Sequence, residues 1–411
     1  MLPRRAPRDT NGNDAPFGSV PLGLDRLLVH VARWRGWTVL SAVLALLVAA
    51  QFVYFSLTRP SIDWDTVPYT MAILKGPAFE TKGVLDAPAL HAATWATLKP
   101  WLTPDLLAYM TEGDYRIAQY TQPAALVSQL PLFESKYGYV LALKAVAAFT
   151  SPVQAIILAS LVGALGTLAI VFAAAVRLHG IATLAWLPFV LLFKLPSFAS
   201  MTTPDSLTTL LAVAGFACLL AKRSTPGIAL LVASAVIRPD SLILNLAVSA
   251  VFVLRRDYGS AAALAMLSVA AYLFNALMSG HPGWWPQFHY NFVAIQAVLT
   301  GDWPPFEIGL YGRILLRQIG ELSHLPWAHA GFAATLLAVI LLAARPDSWR
   351  SLLLLAVLAG VAGRFFLYPS AELRLYAPQF FIVCLILLAT ARTFPSSDGA
   401  PDIGAVRRRA G

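Results

Sequence analysis

Long apolar runs, broken by short polar and proline-containing segments, recur from Gly36 to Ala391. The runs are continuous instead of alternating. That pattern predicts helices buried or lipid-facing on all sides, and it excludes the dyad repeat of a membrane barrel. The runs place about ten crossings, near Trp37–Leu57, Pro152–Val176, Ile181–Phe193, Ser206–Ala221, Gly227–Ile237, Ser241–Leu254, Ala261–Met278, Trp327–Ala344, Leu352–Leu367 and Leu375–Ala391. The expected fold is therefore an all-α polytopic membrane protein. A large first extracytoplasmic loop spans 58–151, a second spans 279–324, and tails at 1–36 and 393–411 flank the membrane domain 37–392.

The apolar run Tyr137–Phe149 is left out of the crossings. A helix of about 13 residues covers about 20 Å, less than a roughly 30 Å hydrocarbon core. It is expected to lie on or dip into the outer surface, at the end of a first loop with further helices near Pro88–Trp101 and Pro104–Tyr120. Trp95, Trp101, Tyr109, Tyr115 and Tyr120 in that loop suit a membrane interface or the packing of an outer cap.

Composition agrees with a bilayer environment. Of the 411 residues, 58% are hydrophobic and 12% charged, where soluble domains carry about a quarter charged residues. The net charge of +9 does not indicate a nucleic-acid partner, because the basic residues sit at span ends and not in a patch. Arg177, Lys222/Arg223, Arg255/Arg256, Arg345, Arg350, Arg392 and Arg407–Arg409 all fall on one side if the ten crossings hold. With Arg26, Arg33 and Arg35 before the first run, they place both termini in the cytoplasm of a cell whose inner membrane holds the chain. The first run is too long and too late for a cleaved signal, and reads as a signal anchor. Cys218 and Cys384 lie within apolar runs and are expected as free thiols.

Several charges then stand at the wrong depth. The runs Gly227–Ile237 and Ser241–Leu254 have basic flanks on the same side, so they form a hairpin whose arms reach only about 17 and 21 Å. Its apex, Arg238-Pro239-Asp240, is expected below the outer surface, where charges pair, face a cavity or mark a substrate path. The preceding hairpin repeats the wording, Thr203-Pro204-Asp205-Ser206-Leu207 against Arg238-Pro239-Asp240-Ser241-Leu242. Pro followed by Asp also suits a capped helix start. In Tyr368–Pro378, Arg374 is not expected to pair with Glu372, since residues two apart on a helix diverge. A phosphate partner suits its guanidinium, and snorkelling to the outer head groups is the alternative.

Just outside the first run lie Asp63 and Asp65. Two carboxylates at the outer face suit a general base with an orienting or cation-holding neighbour, and equally a loop turn or helix cap. A divalent cation is therefore admitted without being required. In the second loop His281, Trp284, Trp285, His289, Tyr290 and Asn291 cluster, a composition that stacks on sugar rings or forms an interfacial belt. No phosphate-binding glycine loop, HExxH, GxSxG or EF-hand pattern occurs.

Taken in order, these parts resemble the GT-C superfamily of membrane glycosyltransferases, a group that includes aminoarabinose transferases of lipid A and protein O-mannosyltransferases. The resemblance covers residues 37–392. It rests on the acidic start of the first loop, the surface helix before the second span, the Pro-Asp hairpins and Arg374-x-x-x-Pro378. It implies a polyprenyl-phosphate-linked sugar donor and an extracytoplasmic glycan, glycolipid or protein acceptor. It also implies Asp63 or Asp65 as the base and Arg238 and Arg374 on the donor phosphate. Asp205, Asp240, Glu372, His281, Trp285, His289 and Tyr290, read from the misplaced charges and the second loop, are expected around the cavity. The run of spans ends without a C-terminal soluble domain, which leaves the acceptor less defined. Two alternatives stand beside it, a glycan polymerase or ligase and a non-enzymatic glycolipid transporter.

Overall fold

The computed structural model describes Val31, Trp34 and residues 36–393. The cytoplasmic tails read from sequence, with Arg26, Arg33, Arg35 and Arg407–Arg409, lie outside the described residues. The described chain is helical apart from one two-stranded hairpin, Glu80–Thr81 against Val84–Leu85.

Among the described residues, five helices are long and apolar enough to cross a membrane. They are α1 (Gly36–Thr58), α8 (Pro152–Ala175), α14 (Tyr258–Ser279), α17 (Pro326–Ala344) and α18 (Ser348–Leu367). This corrects the count of about ten. The other expected crossings are shorter apolar helices: α11 (Asp205–Leu220), α12 (Ser224–Ile237), α13 (Leu242–Leu254) and α19 (Ala377–Ala391). The expected span Ile181–Phe193 breaks into a 3-10 turn, Gly180–Leu184, and two short helices, α9 (Trp186–Leu192) and α10 (Leu195–Ser200). Exposed Lys194 sits at the break with φ 50°, and Pro196 follows as the next helix starts. A left-handed non-glycine residue cannot continue a helix.

Packing sorts the helices by depth in the bundle. Only 11% of the most apolar stretch of α1 is buried. It touches the bundle through few polar bonds, Ser41 Oγ to Thr183 O at 2.8 Å and Ser56 Oγ to Ala199 O at 2.7 Å. In α19, 13 of 15 residues are buried, so this helix is the protein-enclosed centre despite its apolar sequence. Small residues bring the backbones close: a Cβ at Gly163 of α8 would strike the Ser206 backbone in α11. Such positions are where membrane helices gain van der Waals contact.

The first loop is largely helical. It comprises α2 (Thr66–Leu74), α3 (Ala87–Leu98), α4 (Pro104–Met110), α5 (Gly113–Thr121), α6 (Pro123–Glu134) and α7 (Tyr137–Ala147). The helix expected over Pro104–Tyr120 is interrupted at Thr111 and Glu112, where Glu112 is extended (φ −94°, ψ 139°). The segment expected as a surface helix forms α7, which packs on α2 and α8. The second loop carries α15 (Trp284–Phe292) and α16 (Ile308–Leu322). The two loops are bonded together: Tyr115 and Tyr290 hydroxyls lie 2.7 Å apart, and Leu299 N–H donates to Ser128 Oγ at 3.0 Å. Tyr115 is thus a cross-loop bridge and not an interfacial anchor.

Candidate functional site

The loops and the two hairpin apices enclose a cavity of about 310 Å³. Ligand pockets commonly fall in the range of about 300–1,000 Å³. Asp65, Asp205, Arg238, Asp240, His281, Tyr290, Glu372 and Arg374 all line it, although the sequence spreads them over some three hundred positions.

The two Pro-Asp apices interlock. Arg238 of the second apex forms an ion pair with Asp205 of the first, with side-chain exposures of 12% and 3%. Its Nε also donates to both Asp240 oxygens at 3.1 Å. Thr203 Oγ1 donates to Asp205 Oδ2 at 2.6 Å. Asp205 makes no side-chain cap on α11, so the capping reading of its carboxylate is not what the fold uses. Arg364, near the end of α18, pairs with Asp240 from the other side and is buried. Charges at this burial survive only when paired in this manner.

A second charged group sits at the outer end of α19. Arg374 Nη1 donates to Asp65 Oδ2 at 2.9 Å, and its Nε pairs with Glu372. The Glu372 contact corrects the sequence expectation. Glu372 is extended (φ −86°, ψ 121°) and only Leu373–Leu375 forms a 3-10 turn, so the divergence of i and i+2 on an α-helix does not apply.

Asp63 and Asp65 part company. Asp63 Oδ1 accepts from Thr202 Oγ1 at 2.5 Å, Thr66 Oγ1 donates to Thr202 Oγ1 at 2.8 Å, and Asp63 N–H donates to Thr66 Oγ1 at 3.2 Å. This closed ring pins the chain after α1 to the segment before α11, and Asp63 does not line the cavity. Burial, with the nearby Asp65 charge, raises the Asp63 carboxyl above the usual carboxylate range. Among the described residues no three His, Cys, Asp or Glu side chains gather as a metal group. The cavity carboxylates converge on guanidinium groups, so the divalent cation admitted from sequence finds no fitting donor set.

The α15 wall differs in character. Its cavity-facing residues are Trp284, Gln287, Tyr290 and Asn291, with His281 just before it. Trp284 Nε1 donates to Leu367 O at 2.6 Å, which fixes α15 against the end of α18. Trp285 and His289 do not line the cavity. Trp285 stacks on Phe288 with centroids 5.5 Å apart and donates to Pro304 O, while His289 is buried against Trp303.

Lys136 and Arg364 are cavity residues that the reading of the sequence did not single out. Arg364 had a signal, a lone charge inside the apolar run Leu352–Leu367. Lys136 had none, because it directly precedes the surface helix and its place depends on the fold of the loop. Its Nζ makes one long bond, to Leu132 O at 3.4 Å, and it has no carboxylate within ion-pairing distance among the described residues. Burial, reinforced by the Arg238 charge, pushes its pKa down to about 8. The Nε of Arg364 is buried with no hydrogen-bond partner among the described residues.

Set against known protein families, curated proteins and solved structures, the chain matches none.

Proposed function

We propose that the protein is a membrane glycosyltransferase. It moves a sugar from a polyprenyl-phosphate carrier to a glycan, glycolipid or protein acceptor at the extracytoplasmic face of the inner membrane, with both termini cytoplasmic.

The observation that carries the reading is the composition of one cavity. It holds a carboxylate, Asp65, and a cation free of carboxylates, Lys136. It also borders apolar surface. Tyr272 of α14 and Leu367 of α18 both line it and are 43% and 40% exposed. A ligand with an anionic head and a long apolar tail fits such a place, the head inside and the tail between α14 and α18 in lipid.

In the transfer, Asp65 takes the proton of an acceptor hydroxyl, the oxygen bonds to the anomeric carbon, and the carbon–phosphate oxygen bond breaks. The electron pair leaves with the carrier phosphate, which gains a negative charge. Lys136 is the donor placed to stabilise that charge, where the sequence pointed to Arg238 and Arg374. Those two arginines are already matched by Asp205 and Asp240, and by Asp65 and Glu372. They serve to hold the acids in place. Attack opposite the phosphate inverts the anomeric centre.

The test is a deletion strain analysed for lipid-linked sugars and envelope glycans. It should accumulate a polyprenyl-phosphate sugar and lack one glycan decoration, restored by wild type and not by Asp65→Asn. Unchanged glycans and carrier lipids in the deletion strain would remove the proposal.

A further inference from the structure

We infer that the α15 wall is the sugar subsite of the cavity and takes an uncharged, hydroxyl-bearing ring, with Gln287 and Asn291 as contacts and His281 as a positioning residue. The inference rests on the reading of the cavity as a site for a lipid-linked sugar.

The turn before α15 fixes a proton. Gly280 and Gly283 adopt φ values of 62° and 106°, which fold residues 280–283 back on themselves. Gly283 N–H then donates to His281 Nδ1 at 3.0 Å. A backbone N–H only donates, so Nδ1 is an acceptor and the proton of the neutral ring sits on Nε2. That Nε2–H points at Gln287 at 2.9 Å, and its partner must be the amide oxygen. The Gln287 amide is thereby oriented, and its NH₂ keeps two donors with no acceptor among the described residues. One turn on, Asn291 Nδ2 donates to Gln287 O at 2.6 Å, which leaves Asn291 Oδ1 as an acceptor.

All of these groups line the cavity, and none is charged. Burial, with the Lys136 charge, lowers the His281 pKa. The charges of the cavity lie on other elements, at the two apices, before α2, in α18, before α19 and at Lys136. The α15 wall therefore offers no carboxylate to an amino sugar and no cation to a uronic acid. Hydroxyls donate and accept together, and match an NH₂ beside a free carbonyl oxygen.

The experiment measures equilibrium affinity on the full-length protein in lipid nanodiscs. The probes are polyprenyl phosphate without sugar and the same carrier bearing a neutral hexose, an amino sugar or a uronic acid. The neutral hexose should add about tenfold over the bare carrier, two hydrogen bonds' worth, and the charged sugars should add nothing. Gln287→Ala, Asn291→Ala and His281→Ala should each remove about threefold to tenfold of the gain while leaving bare-carrier affinity unchanged. Equal affinity for all three sugars, or equal weakening of bare carrier by these variants, overturns the subsite. Failure of every probe, bare carrier included, overturns the reading of the cavity and the subsite with it.

Discussion

Arg374 and Asp65 stand 309 positions apart and share a hydrogen bond of 2.9 Å inside the cavity. The bond joins the start of the first loop to the entry of the buried helix α19. It also separates Asp65 from Asp63, whose oxygen is engaged by Thr202.

The two acids should therefore respond differently to amidation. Asp65→Asn removes the proton acceptor, and transfer should drop by about 10²–10⁴. Asp63→Asn keeps an oxygen for Thr202 and should stay within a few-fold of wild type. Initial transfer rates on purified, folded variants check this. A loss at Asp63→Asn as large as at Asp65→Asn would return the base assignment to Asp63.

The apex network should be structural as well as electrostatic. Asp240→Ala strands buried Arg364 and leaves Arg238 with Asp205 alone, and should lower stability by about 3–5 kcal/mol. Glu372→Ala removes a partner that is 54% exposed, and should change stability by about 1 kcal/mol or less. Thermal or denaturant unfolding in one detergent measures both. Equal losses would contradict the burial argument.

Lys136 should impose a pH dependence on carrier binding. Its pKa is held at about 8, so it is charged below that pH and neutral above it. A phosphodiester keeps one negative charge across this range. Affinity for a polyprenyl-phosphate sugar should therefore be full near neutrality. It should fall by about tenfold or more as pH rises past 8, the worth of a charged hydrogen bond. Binding near pH 8 should also take up protons. In Lys136→Arg the fall should vanish, and a wild-type profile flat to high pH would remove Lys136 from the phosphate.

Gly163→Ala tests the packing of α8 on α11. The added methyl meets the Ser206 backbone, which cannot rotate away, so a loss of about 1–3 kcal/mol is expected. Gly259→Ala, whose Cβ would meet nothing within 4 Å, is the control and should unfold like wild type.

Apolar runs made the long helices legible, because α1, α8, α14, α17 and α18 each follow from hydropathy and length. The same logic overcounts where protein replaces lipid. The α19 sequence is as apolar as a lipid-facing span, yet its surroundings are other helices. The apices were legible as well, since Arg238 at a short hairpin has no membrane-stable role without a partner. Which partner was not legible, because Asp205 and Arg364 come from separate elements. Lys136 is the clearest gap. Its lack of a carboxylate is a property of three-dimensional neighbours, and no local pattern encodes it.

The most direct test is label transfer by purified protein reconstituted in vesicles with a polyprenyl-phosphate-linked sugar and an envelope-derived acceptor fraction. Wild type should move the label and release free polyprenyl phosphate in equal amounts. Asp65→Asn should bind the carrier and do neither. Carrier binding by wild type without transfer to any acceptor, or transfer undiminished in Asp65→Asn, would contradict the account.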